Sequence, residues 1–240
     1  MLSVSVVTLF PEVFEVPLRT SILGRAAERS LVKYEIVDLR GYSHDKHKTV
    51  DDYAFGGGAG MVLKPEPFFE ALDDLKPNGP TVLLSARGKK FEHEDAVRFS
   101  VGEELTLLCG SYKDVDGRVA ERDDVEELSV GDFVLTGGEF GALCVIDSVV
   151  RLLPGAIGDH ESAATDSFYE GLLSAPSYTR PAVYRGLKVP EVLLGGNHVA
   201  IKRWRFQEAE RLTKLRRPDL WERFNKDEPL EAGERGNGDD

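Results

Sequence analysis

Five short apolar runs rich in β-branched residues recur at 3–9, 34–39, 81–85, 105–109 and 133–136, and amphipathic stretches lie between them at 20–31, 66–75, 93–99 and 115–122. Runs of that length with few polar interruptions suit strands covered on both faces, and stretches with an apolar stripe suit the helices that cover them. Parallel strands need a crossover, and a helix is the compact way to make one, so the alternation predicts an α/β fold: a mostly parallel sheet with helices on both faces. A last long helix is expected over 139–153, stopped by Pro154 and Gly155.

The pattern changes after Gly158. The segment DHESAATDS is small, polar and without apolar periodicity, as a linker would be. A small, mainly helical unit should follow, with helical patterns at 199–215 and 218–224. The acidic end, PLEAGERGNGDD, has too little apolar surface to offset the entropy of ordering. The expected divisions are 1–158, a linker at 159–172, a helical unit at 173–226 and a disordered tail at 227–240. No apolar run approaches the ~20 residues that span a bilayer, and the opening MLSVSVVTLFPE lacks a charged leader and a small-residue cleavage site. A cytoplasmic location is therefore expected. Cys109 and Cys144 each sit in an apolar stretch and read as buried thiols, not as a disulfide framework.

A formal net charge of −12 argues against indiscriminate nucleic-acid binding, but its distribution is uneven. Residues 198–217 hold Lys202, Arg203, Arg205, Arg211, Lys214, Arg216 and Arg217 against Glu208 and Glu210. Such a helix suits phosphate contacts, and it equally suits a plain solvated face. The segment RGYSHDKHKTVDDYAFGGGAG at 40–60 is too long and polar for a simple connector. His44 and His47 lack a third donor in motif spacing, so no metal set is read there.

Neither G-x-G-x-x-G nor a P-loop occurs, which argues against a Rossmann oxidoreductase, a P-loop NTPase and the common Rossmann-type methyltransferase. Three glycine-marked loops nevertheless follow strand signals: Leu84 to Gly88, Cys109 to Asp114, and Val130 through Leu135 to Gly137, Gly138 and Glu139. In open α/β sheets ligands bind beyond the carboxyl ends of strands, where glycine lets backbone groups come close. Each loop alone also reads as a tight strand-to-helix turn.

In order, TLFPEVF, HDKHKTVDDYAFGGGAGM, LCGSYKDVDGRV, GDFVLTGGE, IDSVVRLLPG, TDSFYEGLL, YTRP and GNHVAIKRWR span nearly the whole chain apart from the acidic tail. Together they resemble the bacterial tRNA (guanine-N1-)-methyltransferases, of the trefoil-knotted class of S-adenosylmethionine enzymes. The resemblance implies a deep knot around 84–138 and a homodimer with its active sites at the subunit interface. It implies S-adenosyl-L-methionine as methyl donor, held by Leu84, Ser85, Gly110, Tyr112, Val130, Gly131, Asp132, Phe133, Val134, Leu135, Gly137 and Gly138. The acceptor would be N1 of the guanosine immediately 3′ of the tRNA anticodon.

On that resemblance Asp166 matches the catalytic aspartate and Arg151 the arginine of the long helix. Without it, Arg151 fits an i,i+4 ion pair with Asp147, and Asp166 fits a cap on a helix over SFYEGLL. His44, Lys46, His198, Lys202, Arg203 and Arg205 would hold the anticodon stem-loop, and Trp204 would either stack on a base or pack as core. Two further readings are a knotted ribose 2′-O-methyltransferase and a catalytically silent RNA-binding module; Asp166 and Arg151 argue against the latter. The chain departs from the family pattern at GSYKDVDGR, where Lys113 takes a usually acidic position, at Ala86 in place of a common proline, and at GGEFG in place of GGELP.

Overall fold

The computed structural model describes residues 1–157 and 166–227. The expected linker lies outside the described residues up to position 165, and so does the tail from 228 onward. The chain divides into two compact units, Met1–His160 and Glu161–Asp240.

In chain order the first unit runs β1 (Leu2–Thr8), α1 (Glu12–Glu15), α2 (Ser21–Glu28), β2 (Val32–Asp38), β3 (Asp51–Tyr53), β4 (Met61–Leu63), α3 (Pro65–Leu75), β5 (Thr81–Lys90), α4 (His93–Ser100), β6 (Glu104–Cys109), β7 (Asp114–Val115), α5 (Gly117–Ala120), β8 (Val125–Ser129) and α6 (Glu139–Val150). Five parallel strands form the main sheet in the order β2-β1-β6-β5-β8. Alternation within the strands feeds two cores. Val4 and Val6 of β1, Leu105 and Leu107 of β6 and Val82 of β5 pack with Leu23, Phe99 and Val145 from α2, α4 and α6. Val7, Leu83 and Leu108 face the other way, onto Phe68 and Leu72 of α3 and Val119 of α5. The α/β class with both faces covered is thus observed, and each fully buried phenylalanine, Phe14, Phe68 and Phe99, contributes roughly 1.5–3 kcal/mol.

Local chemistry explains the helix bounds. Pro65 opens α3 with its fixed φ, and Lys76 closes it in the left-handed conformation. A reciprocal capping box between Glu92 and Asp95 opens α4.

The sequence reading places the last strand one loop too late. The fifth strand is β8, Val125–Ser129, whereas 133–136 is irregular and its Phe133, Val134 and Leu135 are exposed. The amphipathic stretch at 115–122 shrinks to the single turn of α5, because Val115 belongs to β7. Part of the 40–60 segment forms β3, which joins β4 and β7 in a small mixed sheet that the sequence reading does not anticipate. Cys109 is buried, but Cys144 is exposed: at 100° per residue it sits opposite the inward Ala142, Val145 and Val149.

The second unit contains the antiparallel pair β9 (Val183–Tyr184) and β10 (Leu187–Lys188), then α7 (His198–Arg216) and α8 (Pro218–Asp227). Asn197 caps α7 by accepting from the Ala200 N–H at 3.1 Å. Leu212 and Thr213 are its buried anchors, and the Thr213 hydroxyl accepts from the Leu173 N–H at 2.9 Å. The helix read over SFYEGLL is instead a turn. Phe168 takes a φ of 77°, and its N–H donates to the Leu172 carbonyl at 2.7 Å.

Candidate active site

The site in the first unit begins with an irregularity in β5. Leu84 and Lys89 both register against Leu128 of β8, so residues 85–88 are pushed out of the ladder as a loop. Gly88 makes this possible, because any Cβ there would collide with the backbone of Glu127 and Leu128. The second loop leaves β6 at Gly110. The third leaves β8 at Ser129, whose hydroxyl donates to the Gly131 carbonyl at 3.0 Å and accepts from the Gly131 N–H at 3.3 Å.

These loops converge because the chain must travel from β8, at one edge of the sheet, to α6, which packs on β1 and β6 nearer its middle. Residues 130–138 make that crossing over the carboxyl ends of β5 and β6. The crossing is pinned where Gly138 N–H donates to the Gly110 carbonyl at 2.8 Å, and Ser111 bridges Gly137. Gly138 lies so close to β6 that a Cβ would come 2.8 Å from Cys109 Cα. Below the crossing, the first turn of α6 places the buried Glu139 carboxyl against the Thr8 hydroxyl at 2.7 Å.

The result is an open cavity of about 210 Å³, the scale of one nucleoside, with Leu84, Val130 and Leu135 as apolar wall and backbone groups at Gly110, Gly137 and Gly138. Every donor-loop position predicted from the sequence lines it except Asp132, which is exposed and outside the wall. Arg87, Ser111, Lys113, Asp114 and Thr136 also line it; all lie within the loops marked by the sequence reading, but none was named there as holding the donor. Their neighbourhood to the glycines was a usable signal, whereas the pairing of Arg87 with Asp114, 27 residues apart, had none. That pair is bidentate, at 2.6 and 3.4 Å, and spans the first two loops. Burial pushes the Cys109 thiol, behind the cavity wall at Gly110, well above its ordinary range, and the nearby Glu139 adds to the shift.

Arg151 ends α6, its N–H donating to the Asp147 carbonyl at 3.2 Å. Elsewhere in the first unit, His44 and Lys46 are exposed on a loop that Asp45 braces by accepting from the His47 and Thr49 N–H groups at 2.7 and 3.1 Å. Those bonds, chiefly from Thr49, hold the Asp45 carboxyl below its ordinary range. His44 Nε2 lies 2.7 Å from Glu70 Oε2.

In the second unit, Asp166, His198, Lys202 and Arg205 line one hollow of about 960 Å³. Their spacing explains this, since 198, 202 and 205 fall on one face of α7. Arg203 is exposed and does not line the hollow. Farther along the helix Arg211 is tied to Glu208 at 2.8 Å, but Lys202, Arg203 and Arg205 meet no carboxylate among the described residues. Trp204 is half-buried, tilted against Tyr178 with ring centroids 6.3 Å apart.

A family model described as tRNA (Guanine-1)-methyltransferase TrmD matches residues 2–223. Among similar proteins, one from Bacillus subtilis is 49% identical over 98% of this chain and 96% of its own length. One from Dehalococcoides mccartyi is 48% identical over 98% and 94%, and one from Lacticaseibacillus paracasei 52% over 91% and 87%. All three are named tRNA (guanine-N(1)-)-methyltransferase.

Proposed function

Because the chain belongs to the tRNA (guanine-1)-methyltransferase family, we propose that it transfers the methyl group of S-adenosylmethionine to guanine N1 in tRNA, at the guanosine immediately 3′ of the anticodon. The observation that carries this reading is the cavity at the carboxyl ends of β5, β6 and β8, where three loops present backbone donors and acceptors beside an apolar wall. Those residues fit an adenosyl group: Leu84, Val130 and Leu135 suit a purine face, and the close packing at Gly110 and Gly138 brings the backbone of the loops to the cavity wall, where a purine's polar edge would lie.

S-adenosylmethionine supplies a methyl group already activated on a sulfonium. The protein's task is therefore to ready the acceptor, because guanine N1 carries a proton and is a poor nucleophile until that proton leaves. Asp166 takes the N1 proton as general base, a role worth typically 10²–10⁴-fold. Arg151 neutralises the charge that grows on guanine O6 as N1 is deprotonated. The hollow that Asp166 shares with His198, Lys202 and Arg205 supports this assignment, since it sets a carboxylate near two cations, Lys202 and Arg205, suited to an RNA backbone. The target base leaves its stack to reach the donor, as bases do when chemistry is performed on them. Arg203 and the loop carrying His44 and Lys46 hold the stem.

The active unit in this reading is a homodimer, with the linker of one protomer, 159–172, closing over the donor of the other. In support, Phe133, Val134 and Phe140 beside the cavity are 57%, 89% and 57% exposed in the single chain. The crossing of 130–138 over β5 and β6 supports a trefoil knot there. No helix among the described residues is long and apolar enough to cross a membrane. The enzyme is expected in the cytoplasm, with its tRNA substrate.

Incubating the protein with unmodified tRNA and S-adenosylmethionine labelled in its methyl group, followed by nuclease digestion and mapping, tests the reading. Label should appear as 1-methylguanosine beside the anticodon. Label on a ribose, on another base, or nowhere would overturn it.

A further inference from the structure

Three charged side chains line the cavity of the first unit, and two of them cancel. The Arg87 guanidinium holds Asp114 through two hydrogen bonds at 2.6 and 3.4 Å, and its Nη2 lies 3.6 Å from Glu127 Oε1, a buried atom without a hydrogen-bond partner. The third is Lys113. Its ammonium meets no hydrogen-bond acceptor and no carboxylate among the described residues. Yet the residue is firmly held. Its N–H donates to the Met61 carbonyl at 3.0 Å, and its stem runs along Gly60, where an added Cβ would stand 3.2 Å from Lys113 Cβ and 3.8 Å from Cγ and Cδ. The small sheet and the glycine-rich loop thus fix the stem and leave on the wall one ammonium that no carboxylate among the described residues pairs directly.

We propose, resting on the reading of this cavity as the S-adenosylmethionine site, that Lys113 is the residue that recognises the carboxylate of the donor's methionyl end. The methionyl portion carries a sulfonium, an ammonium and a carboxylate. An ammonium on the wall attracts only the last and repels the other two, so it sets the direction in which the tail lies. It also makes the cavity discriminate against adenosyl compounds that lack the carboxylate.

Calorimetric binding of S-adenosylhomocysteine and of its decarboxylated analogue, to the wild-type chain and to Lys113→Met, tests this. The wild type should bind S-adenosylhomocysteine about tenfold tighter than the analogue, the scale of one charge-assisted hydrogen bond at a partly exposed site. In Lys113→Met the two should bind within about twofold of each other, chiefly through weaker binding of the carboxylate-bearing compound, while Lys113→Arg keeps the preference. Thermal unfolding of the exposed Met variant should match the wild type, which separates a missing ion pair from a damaged fold. Full discrimination retained by Lys113→Met overturns the proposal while leaving the donor site intact, as does a variant that changes only the salt dependence of tRNA binding. A wild type that binds neither compound overturns the donor-site reading itself, and this inference with it.

Discussion

The Thr8 hydroxyl donates to Glu139 Oε1 at 2.7 Å, joining residues 131 apart in sequence, both almost wholly buried. This bond fastens the end of β1 to the first turn of α6 directly beneath the glycine crossing, so it couples the stability of the sheet to the shape of the cavity. Thr8→Val preserves volume but leaves a buried carboxyl oxygen without its donor. The expected cost is about 1–3 kcal/mol, read as a lower midpoint in thermal unfolding together with weaker S-adenosylhomocysteine binding. An unchanged midpoint would show that Glu139 finds another partner.

Gly138→Ala should harm the cavity more directly. The added carbon meets the backbone at Cys109 Cα, 2.8 Å away, and Gly110 N, 3.0 Å away, neither of which can swing aside. Overpacking of this kind costs roughly 1–3 kcal/mol. Calorimetry should show donor affinity reduced at least about tenfold, on the scale of 1.4 kcal/mol per decade; wild-type affinity would mean the crossing can lift off β6 at no cost.

Much of this architecture was legible beforehand, for a physical reason. β1, β6 and the first four residues of β5 feed cores on both faces and are therefore rich in apolar residues, while α2, α3 and α4 present a stripe to them. β8 escaped notice because it is an edge strand: VEELS buries fully only its last two residues and has no apolar run to read. The run at 133–136 misled for the converse reason, since its side chains line a cavity and face solvent instead of filling a core. β3, β4 and β7 are two or three residues long and are defined by pairings such as Val62 with Asp114, which no local pattern encodes. The three loops that line the cavity were legible because glycine after a strand marks close approach, yet the union of Arg87 with Asp114 depends on the fold.

Asp166→Ala should abolish methyl transfer while leaving S-adenosylhomocysteine binding nearly unchanged, a loss of roughly 10²–10⁴-fold in turnover. Single-turnover kinetics on tRNA transcripts would measure it. Undiminished transfer would remove Asp166 from the chemistry.

The exposed cations of α7 should act on RNA through charge alone. Replacing Lys202 or Arg203 by alanine should weaken tRNA binding and reduce the slope of log affinity against log salt by about one for each phosphate no longer neutralised. Titrations at several salt concentrations decide this, and an unaltered slope would return the helix to scaffold.

Asp95 gives the fold a defined acid sensitivity. It is 3% exposed. Burial alone would raise its pKa, but the Glu92 N–H, the Lys89 ammonium at 3.1 Å and Arg98 outweigh that and hold it below the ordinary 3.8. A depressed carboxyl contributes stability that is complete above its unfolded value and lost as pH falls through the folded one. The gap in unfolding midpoint between wild type and Asp95→Asn should therefore be widest near neutrality and close below about pH 4. A gap independent of pH would assign the effect to the capping hydrogen bonds rather than to the charge.

The stretch from Val130 to Gly138 is at once a wall of the cavity and the covalent bridge that brings α6 onto its sheet. Binding space and architecture are therefore one object: there is no hollow until the helix has docked, and nothing can settle in the hollow without clamping the helix in place. An occupant acts as a keystone for the whole first unit, and heat tolerance should climb with its concentration.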